Sequence, residues 1–163
     1  MAVTYTQGTD VELLDAVVLS KQLAEIMQSA LPRLNTLTDA QASQPEKGGK
    51  WCAKEVIGHL TDSAVNNLAR IVRLQTESNP DLPGYEQMAW VDLQHYSERE
   101  WTKILSVWSS LNEHLAWTIK FVENSKLGNK GTVAGGSLTL GFLIEDYIAH
   151  MEHHLRALKT WVV

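Results

Sequence analysis

Cysteine is almost absent from this sequence, because Cys52 is the single one among 163 residues. One cysteine excludes an internal disulfide framework, so a buried apolar core must hold the fold. An excess of positive charge is also lacking, since the formal net charge is −5 and lysine and arginine form no cluster. Binding to a phosphate backbone needs concentrated basic residues, and we therefore predict no nucleic-acid partner.

Long apolar runs are missing as well. None approaches the ~18–20 residues of a membrane-spanning helix, and the first residues have neither the basic nor the apolar region of a signal peptide. We therefore predict a cytoplasmic protein without a membrane segment. A length of 163 residues fits one domain, and we expect a single domain over 1–163.

Four segments do carry apolar residues at the three- and four-residue steps of a helix, and turn signals separate them. The spacing predicts helices from about 10 to the late thirties, over 53–76, over about 97–123 and over about 140–161. A longer connection of about 77–96 joins the second helix to the third, and no segment alternates with period two for long enough to form a strand. These features predict an all-α fold, a four-helix bundle.

A candidate N-cap residue precedes each of the four segments. The predicted N-caps are Thr9, Cys52, Ser97 and Thr139. Glutamate follows three residues after Thr9 and after Ser97, which is the spacing of a capping box. Pro32 should kink or end the first helix, because it removes one helical hydrogen bond.

Two histidines on the fourth predicted helix have the spacing of metal ligands. His150 and His154 are four residues apart, so they project from one face and can hold one ion together. A third ligand must come from a facing helix, and His59 is the leading candidate. Its flank of the second helix fits either a pocket wall or a solvated face. His153 competes with His154, because a three-residue step also keeps two ligands on one side.

Three neutral imidazoles would leave coordination positions open, as a catalytic metal requires. Asp62 and Glu152 are candidate partners that orient an imidazole through its other ring nitrogen. Three aromatic residues are candidates for the pocket wall: Trp51, Trp90 and Tyr147. The sequence assigns no general base, and we find no base adjacent to Cys52 that would make it a nucleophile.

Several short segments that occur in one order along the chain carry a family resemblance. They are 50–63 (KWCAKEVIGHLTDS), Trp90 and Tyr96 in the connection, GSLTL over 136–140, and the histidines of the last helix. Together they resemble the DinB/YfiT-like superfamily of metal-binding four-helix bundles. The resemblance covers nearly the whole chain. One departure is Cys52, where that superfamily usually has a serine or threonine cap.

The resemblance implies a metal triad of His59, His150 and His154, with nickel or zinc as the usual occupant. It also implies an up-down-down-up order of helices and frequent homodimers. Members resemble two functional groups, namely transferases or isomerases that use low-molecular-weight thiols, and metal-dependent hydrolases. We therefore expect a metal-dependent enzyme with a small-molecule substrate, either a thiol S-transferase or a hydrolase.

Two other interpretations stay open at this point. The chain could be a metal-binding or stress-associated module without turnover, or a metal-free helical dimer whose histidines pack in the core. Acid should release a metal bound by histidines, because an imidazole must be neutral to coordinate. This behaviour would distinguish a metal site from histidines that only pack in the core. From the pKa of a free histidine, we expect release of the metal to begin near pH ~6.

Overall fold

The computed structural model describes residues 9–46 and 50–158. Four long helices in these ranges form a bundle: α1 (Ala16–Leu34), α3 (Ala53–Thr76), α5 (Trp101–Lys120) and α6 (Leu140–Ala157). Two shorter helices, α2 (Asp39–Ala42) and α4 (Gln87–Leu93), lie in the connections. The predicted all-α four-helix bundle is confirmed. No helix among the described residues is long and apolar enough to span a bilayer.

The direction of each long helix follows from contacts at the two ends of the bundle. Asp39 joins the starts of α3 and α5, because its Oδ2 lies 2.9 Å from Lys54 Nζ and its Oδ1 accepts the Trp101 N–H at 2.7 Å. The indole of Trp101 also donates to the carbonyl of Leu34 at the end of α1, at 3.1 Å. These contacts place the end of α1 beside the starts of α3 and α5, so α3 and α5 both run opposite to α1.

The fourth long helix, α6, begins at the end of the bundle where α5 finishes. At its start, the Gly141 N–H donates to the carbonyl of Leu127, just after α5, at 2.8 Å. Helix α1 packs against α5 and α6, and α3 packs against the same two helices, so α1 and α3 are diagonal in the bundle. The order is up-down-down-up, as the resemblance implied.

The first helix begins later than the sequence predicted. Residues Val11–Leu13 form a short 3₁₀ turn, and α1 starts at Ala16 with Asp15 as its N-cap, which accepts the Val18 N–H at 2.9 Å. The capping box predicted at Thr9 is therefore wrong. An aspartate nearer the apolar stripe supplies the stronger cap. Helix α1 continues through Pro32 and ends at Leu34.

The third long helix also begins later than predicted. Ser97 lies in the 3₁₀ turn Tyr96–Glu98, and α5 starts at Trp101 without a cap from its own N-cap side chain. The carboxylate of Asp39 accepts the Trp101 N–H instead. The predicted capping box at Ser97 is wrong because a group distant in sequence satisfies this amide.

The other two helix starts agree with the sequence analysis. Helix α3 spans the predicted residues, and Glu55 Oε2 accepts the N–H of the N-cap Cys52 at 2.8 Å. Helix α6 begins at Leu140, where Thr139 Oγ1 accepts the Phe142 N–H at 3.2 Å. The predicted end of this helix, Trp161, lies outside the described residues.

Five short strands occur in the described ranges, although the sequence analysis expected none. Strands β1 (Pro45–Glu46) and β2 (Lys50–Cys52) pair antiparallel before α3. Strand β3 (Asp81–Leu82) pairs parallel with β4 (Lys130–Val133), which pairs antiparallel with β5 (Gly136–Thr139). Strands of two to four residues are too short to show a period-two pattern.

The core of the bundle is mainly apolar, and most of the buried polar side chains among the described residues lie on α3. Large side chains with at most 2 % of their surface exposed include Leu23, Ile57, Leu60, Trp108, Ile144 and Met151. Each such side chain stabilises the fold by about 1.5–3 kcal/mol through removal of apolar surface from water. The polar residues His59, Asp62, Ser63 and Asn67 are nevertheless buried on α3. Burial of polar groups is costly unless they have partners, so this part of α3 points to a functional site.

Candidate metal centre

Three histidine side chains converge between α3 and α6. The Nε2 atoms of His59 and His154 each lie 3.1 Å from Nε2 of His150. The three possible ligand atoms all lie within 4.8 Å of one another. Nitrogen ligands around a tetrahedral ion, each about 2.0–2.1 Å from it, are about 3.3 Å apart. The spacing of the three atoms therefore suits one ion.

The antiparallel packing of α3 and α6 produces this convergence. His59 lies near the start of α3 and is 1 % exposed, while His150 and His154 lie one turn apart near the end of α6 and are half-buried. His153 is exposed and falls outside the cluster, with its ring 5.4 Å from that of His154. Of the two competing positions on α6, the structure therefore brings His154 to His59.

Burial keeps the three imidazoles neutral. It lowers the pKa of His59 to about 4. The pKa of His150 falls to about 3, because burial is reinforced by the neighbouring His154 and His59, and that of His154 falls to about 4 for the same kinds of reason. Neutral imidazoles have the lone pair that coordination requires. Three of them directed at one point fit a divalent transition metal, and imidazole ligands suit zinc, copper, iron and nickel alike.

Asp62 lies one turn beyond His59 and is buried. Its Oδ1 accepts hydrogen bonds from the Tyr96 hydroxyl at 2.7 Å and from Gln94 Nε2 at 2.6 Å. Burial raises the pKa of Asp62, and these two hydrogen bonds act in the opposite direction. The other oxygen, Oδ2, is buried without a hydrogen-bond partner, and so is Nδ1 of His59.

Glu152 lies on a different side of α6 from His150 and His154. It is bonded to Arg156 at 2.6 Å, and it lines a groove of about 530 Å³ between α1 and α6. The structure therefore does not bring Glu152 to an imidazole of the cluster in the way that the sequence analysis suggested.

The three predicted wall residues have different surroundings. Trp51 is half-buried and its ring centroid lies 5.2 Å from that of His59, so it covers one side of the cluster. Trp90 packs against Tyr85, with ring centroids 5.0 Å apart. Tyr147 is a core residue, since it is 2 % exposed and its hydroxyl donates to Asn112 Oδ1.

Sequence reasoning missed Tyr85 and the pair formed by Gln94 and Tyr96. Tyr85 is half-buried, and burial raises the pKa of its hydroxyl, while an interaction with Ser63 on α3 acts in the opposite direction. All three missed residues lie in the connection between α3 and α5, where no local periodicity indicates which side chains turn inward. Tyr96 was visible only as a residue of the family resemblance.

Comparison with known proteins identifies the family. The model of the DinB superfamily matches residues 22–158, which is most of the chain. The chain belongs to the DinB superfamily. A relative from Oceanobacillus iheyensis named "Putative metal-dependent hydrolase" is 30% identical over 149 residues, covering 85% of this chain and 83% of the relative. YfiT of Bacillus subtilis, which has the same kind of name, is 26% identical over 137 residues, covering 82% of this chain and 76% of YfiT.

The fold of this DinB superfamily member is also found in a solved structure. The structure of YfiT from Bacillus subtilis, described as a four-helix bundle of unusual topology, superposes with a TM-score of 0.86 at 19% identity. The match covers 96% of this chain and 91% of the YfiT chain. Because the identity is low, this likeness shows the shared fold alone.

Proposed function

We propose that this chain is a metal-dependent enzyme in which His59, His150 and His154 hold one divalent ion, either nickel or zinc. The observation that carries the proposal is the convergence of three neutral imidazoles within 4.8 Å, from two helices far apart in sequence. The names of the relatives support dependence on a metal. The reaction we propose is hydrolysis of a small molecule, or transfer of a group from an electrophilic small molecule to a low-molecular-weight thiol.

The chemistry follows from an incomplete set of ligands. A divalent ion bound to three imidazoles would supply Lewis acidity at its open positions, where it lowers the pKa of water or holds a thiolate. The protein's own contribution is to keep the imidazoles neutral by burial. Trp51 shields one side of His59 from water, and the connection that carries Tyr85 and Trp90 flanks α3 next to the site.

The first test is metal content. The full chain, purified and reconstituted with nickel or zinc at neutral pH, should bind about one ion per chain by elemental analysis. The His154→Ala variant should lose most of this metal, because two ligands hold an ion far less tightly than three. The matched control is His153→Ala, which removes the adjacent exposed imidazole and should bind metal like the wild type. Absence of stoichiometric metal in the wild type would overturn the proposal.

The second test is turnover. The metal-loaded chain is assayed with a panel of esters and amides, and separately with electrophiles in the presence of cellular thiols. Turnover by the wild type and by His153→Ala, but not by His154→Ala, supports an enzyme, and the active panel identifies the reaction. Equal turnover by His154→Ala would show that the metal is not responsible. A metal-loaded chain inactive in both panels would instead be a metal-binding module.

Two further predictions concern the whole protein. The homodimer and the cytoplasmic location that the sequence analysis expected remain predictions. Sedimentation of the metal-loaded chain tests the first, and fractionation of the source cells tests the second.

A further inference from the structure

Two unpartnered polar atoms lie in the same turn of α3. In the described part of the chain, three buried side-chain nitrogen or oxygen atoms have no hydrogen-bond partner: His59 Nδ1, Asp62 Oδ2 and Trp108 Nε1. The first two belong to residues three positions apart, which are neighbours on a helix surface. Because buried polar atoms are almost always hydrogen-bonded, two such atoms in the same turn of one helix require an explanation.

The two atoms are chemically complementary. Nε2 of His59 points at the other two histidines, so a neutral His59 that coordinates through Nε2 has its proton on Nδ1. That N–H is a donor without an acceptor, and Asp62 Oδ2 is an acceptor without a donor. Histidines that ligate metals usually donate their other ring N–H to a carboxylate, a carbonyl or water.

Asp62 is held from its other side by the connection between α3 and α5. Tyr96 and Gln94 both donate to Oδ1, which leaves Oδ2 as the oxygen available to His59. The Tyr96 ring lies directly on Gly58, where an added Cβ would be 2.2 Å from Tyr96 Cδ2. The connection is therefore packed against the backbone immediately before the histidine.

We propose that Asp62 is a positioning residue for the metal site, whose Oδ2 accepts the Nδ1–H of His59, directly or through one water, when the ion is bound. Tyr96 and Gln94 then hold the His59 ring in place through Asp62. This inference rests on the proposed function, because it requires that the three histidines bind a metal. It also couples metal binding to the packing of the connection, since each should stabilise the other.

The test compares metal affinities by competition with a chelator of known affinity. The Asp62→Asn variant keeps the size of the side chain, but an amide cannot accept from the donors on both sides. We expect it to bind zinc or nickel about 10- to 100-fold more weakly than the wild type. Asp39→Asn is the matched control, because Asp39 is a structural carboxylate bonded to Lys54 and Trp101 and should alter stability without altering metal affinity.

A spectroscopic measurement separates positioning from a general loss of structure. In the metal-loaded wild type, the Nδ1 proton of His59 should give a slowly exchanging downfield resonance. This resonance should shift and exchange faster in Tyr96→Phe, which keeps the ring on Gly58 and removes one donor to Asp62. The same two measurements on Tyr96→Phe decide the question if Asp62→Asn does not fold.

The outcomes distinguish the two proposals. A wild-type chain that binds no metal overturns the proposed function. A wild type that binds metal, with Asp62→Asn within twofold of it, overturns the role of Asp62 and leaves the proposed function standing. If Asp62→Asn does not fold, the Tyr96→Phe variant decides. An unchanged metal affinity and an unchanged His59 resonance in Tyr96→Phe would then overturn the role of Asp62.

Discussion

The Nε2 atoms of His59 and His150 lie 3.1 Å apart, although 91 positions separate these residues in the sequence. Helix α3 runs down beside α6, so a residue near the start of one meets a residue near the end of the other. The cluster therefore exists only in the folded bundle. A ligand of this cluster binds the folded chain and not the unfolded one, so it must raise the stability of the fold.

The melting temperature should depend on the metal. A free metal concentration 100-fold above Kd stabilises the folded state by about 2.7 kcal/mol. For a domain of this size, that corresponds to a rise of roughly 5–10 °C in Tm. Thermal melting followed by circular dichroism, with and without chelator, measures the effect. His153→Ala should keep the shift and His154→Ala should lose it, and an unchanged Tm in chelator would favour the metal-free interpretation.

The metal-free chain should lose stability in mild acid. The pKa values of the three histidines are lowered to about 3–4 in the folded state, from 6.5 in the unfolded chain. As the pH falls below 6.5, the unfolded chain binds protons that the folded chain does not, so the free energy of unfolding decreases down to about pH 4. Urea denaturation in the presence of chelator, repeated between pH 7.5 and 4, measures how the free energy of unfolding depends on pH.

The histidine origin of that pH dependence can be tested with one substitution. His154→Ala removes one of the three groups and also relieves His150 of a neighbour that lowers its pKa. The variant should therefore show a shallower decrease between pH 6.5 and 4 than His153→Ala. Parallel curves for the two variants would contradict the assignment.

Release of the metal should need stronger acid than a free histidine suggests. Imidazoles with the unperturbed pKa of a free histidine would begin to release the metal near pH ~6. Burial lowers the pKa of all three imidazoles, so protons compete with the metal only at lower pH. We now expect release to begin below about pH 5. Metal content after dialysis at pH 7, 6, 5 and 4 measures this, and loss of half the metal at pH 6 would contradict it.

The sequence predicted those features that depend on local spacing. Helix α3 was placed correctly because its apolar stripe and N-cap lie within one short segment, and the start of α6 was found from Thr139 in the same way. The pairing of His150 with His154 also follows from helix geometry alone. Periodicity alone left open whether the flank that carries His59 lines a pocket or faces solvent. The family resemblance favoured the first possibility.

The features that the sequence analysis missed depend on contacts between distant residues. The start of α5 was misplaced because Asp39, 62 positions away, accepts the Trp101 N–H. The role of Tyr96 was not foreseen because its ring and hydroxyl meet Gly58 and Asp62 only after the connection has folded over α3. No window of neighbouring residues contains that information.

The contact between Gly58 and Tyr96 gives the last prediction. A Cβ at position 58 would lie 2.2–2.6 Å from three atoms of the Tyr96 ring, closer than any van der Waals contact. Gly58→Ala should therefore destabilise the fold by about 1–3 kcal/mol, as overpacking in a core does. It should also weaken metal binding, because Tyr96 would move away from Asp62.

Gly136→Ala is the control for this substitution. A Cβ there would meet only the carbonyl of Val133 at 3.5 Å, an ordinary contact, so stability should change little. Urea denaturation of both variants gives the free energies of unfolding, and chelator competition gives the metal affinities. In the double variant Gly58→Ala with Tyr96→Ala, removal of the ring should take away the clash, so the two substitutions should cost less together than the sum of their separate effects. Additive losses in the double variant would show that the Tyr96 ring does not determine the need for glycine at this position.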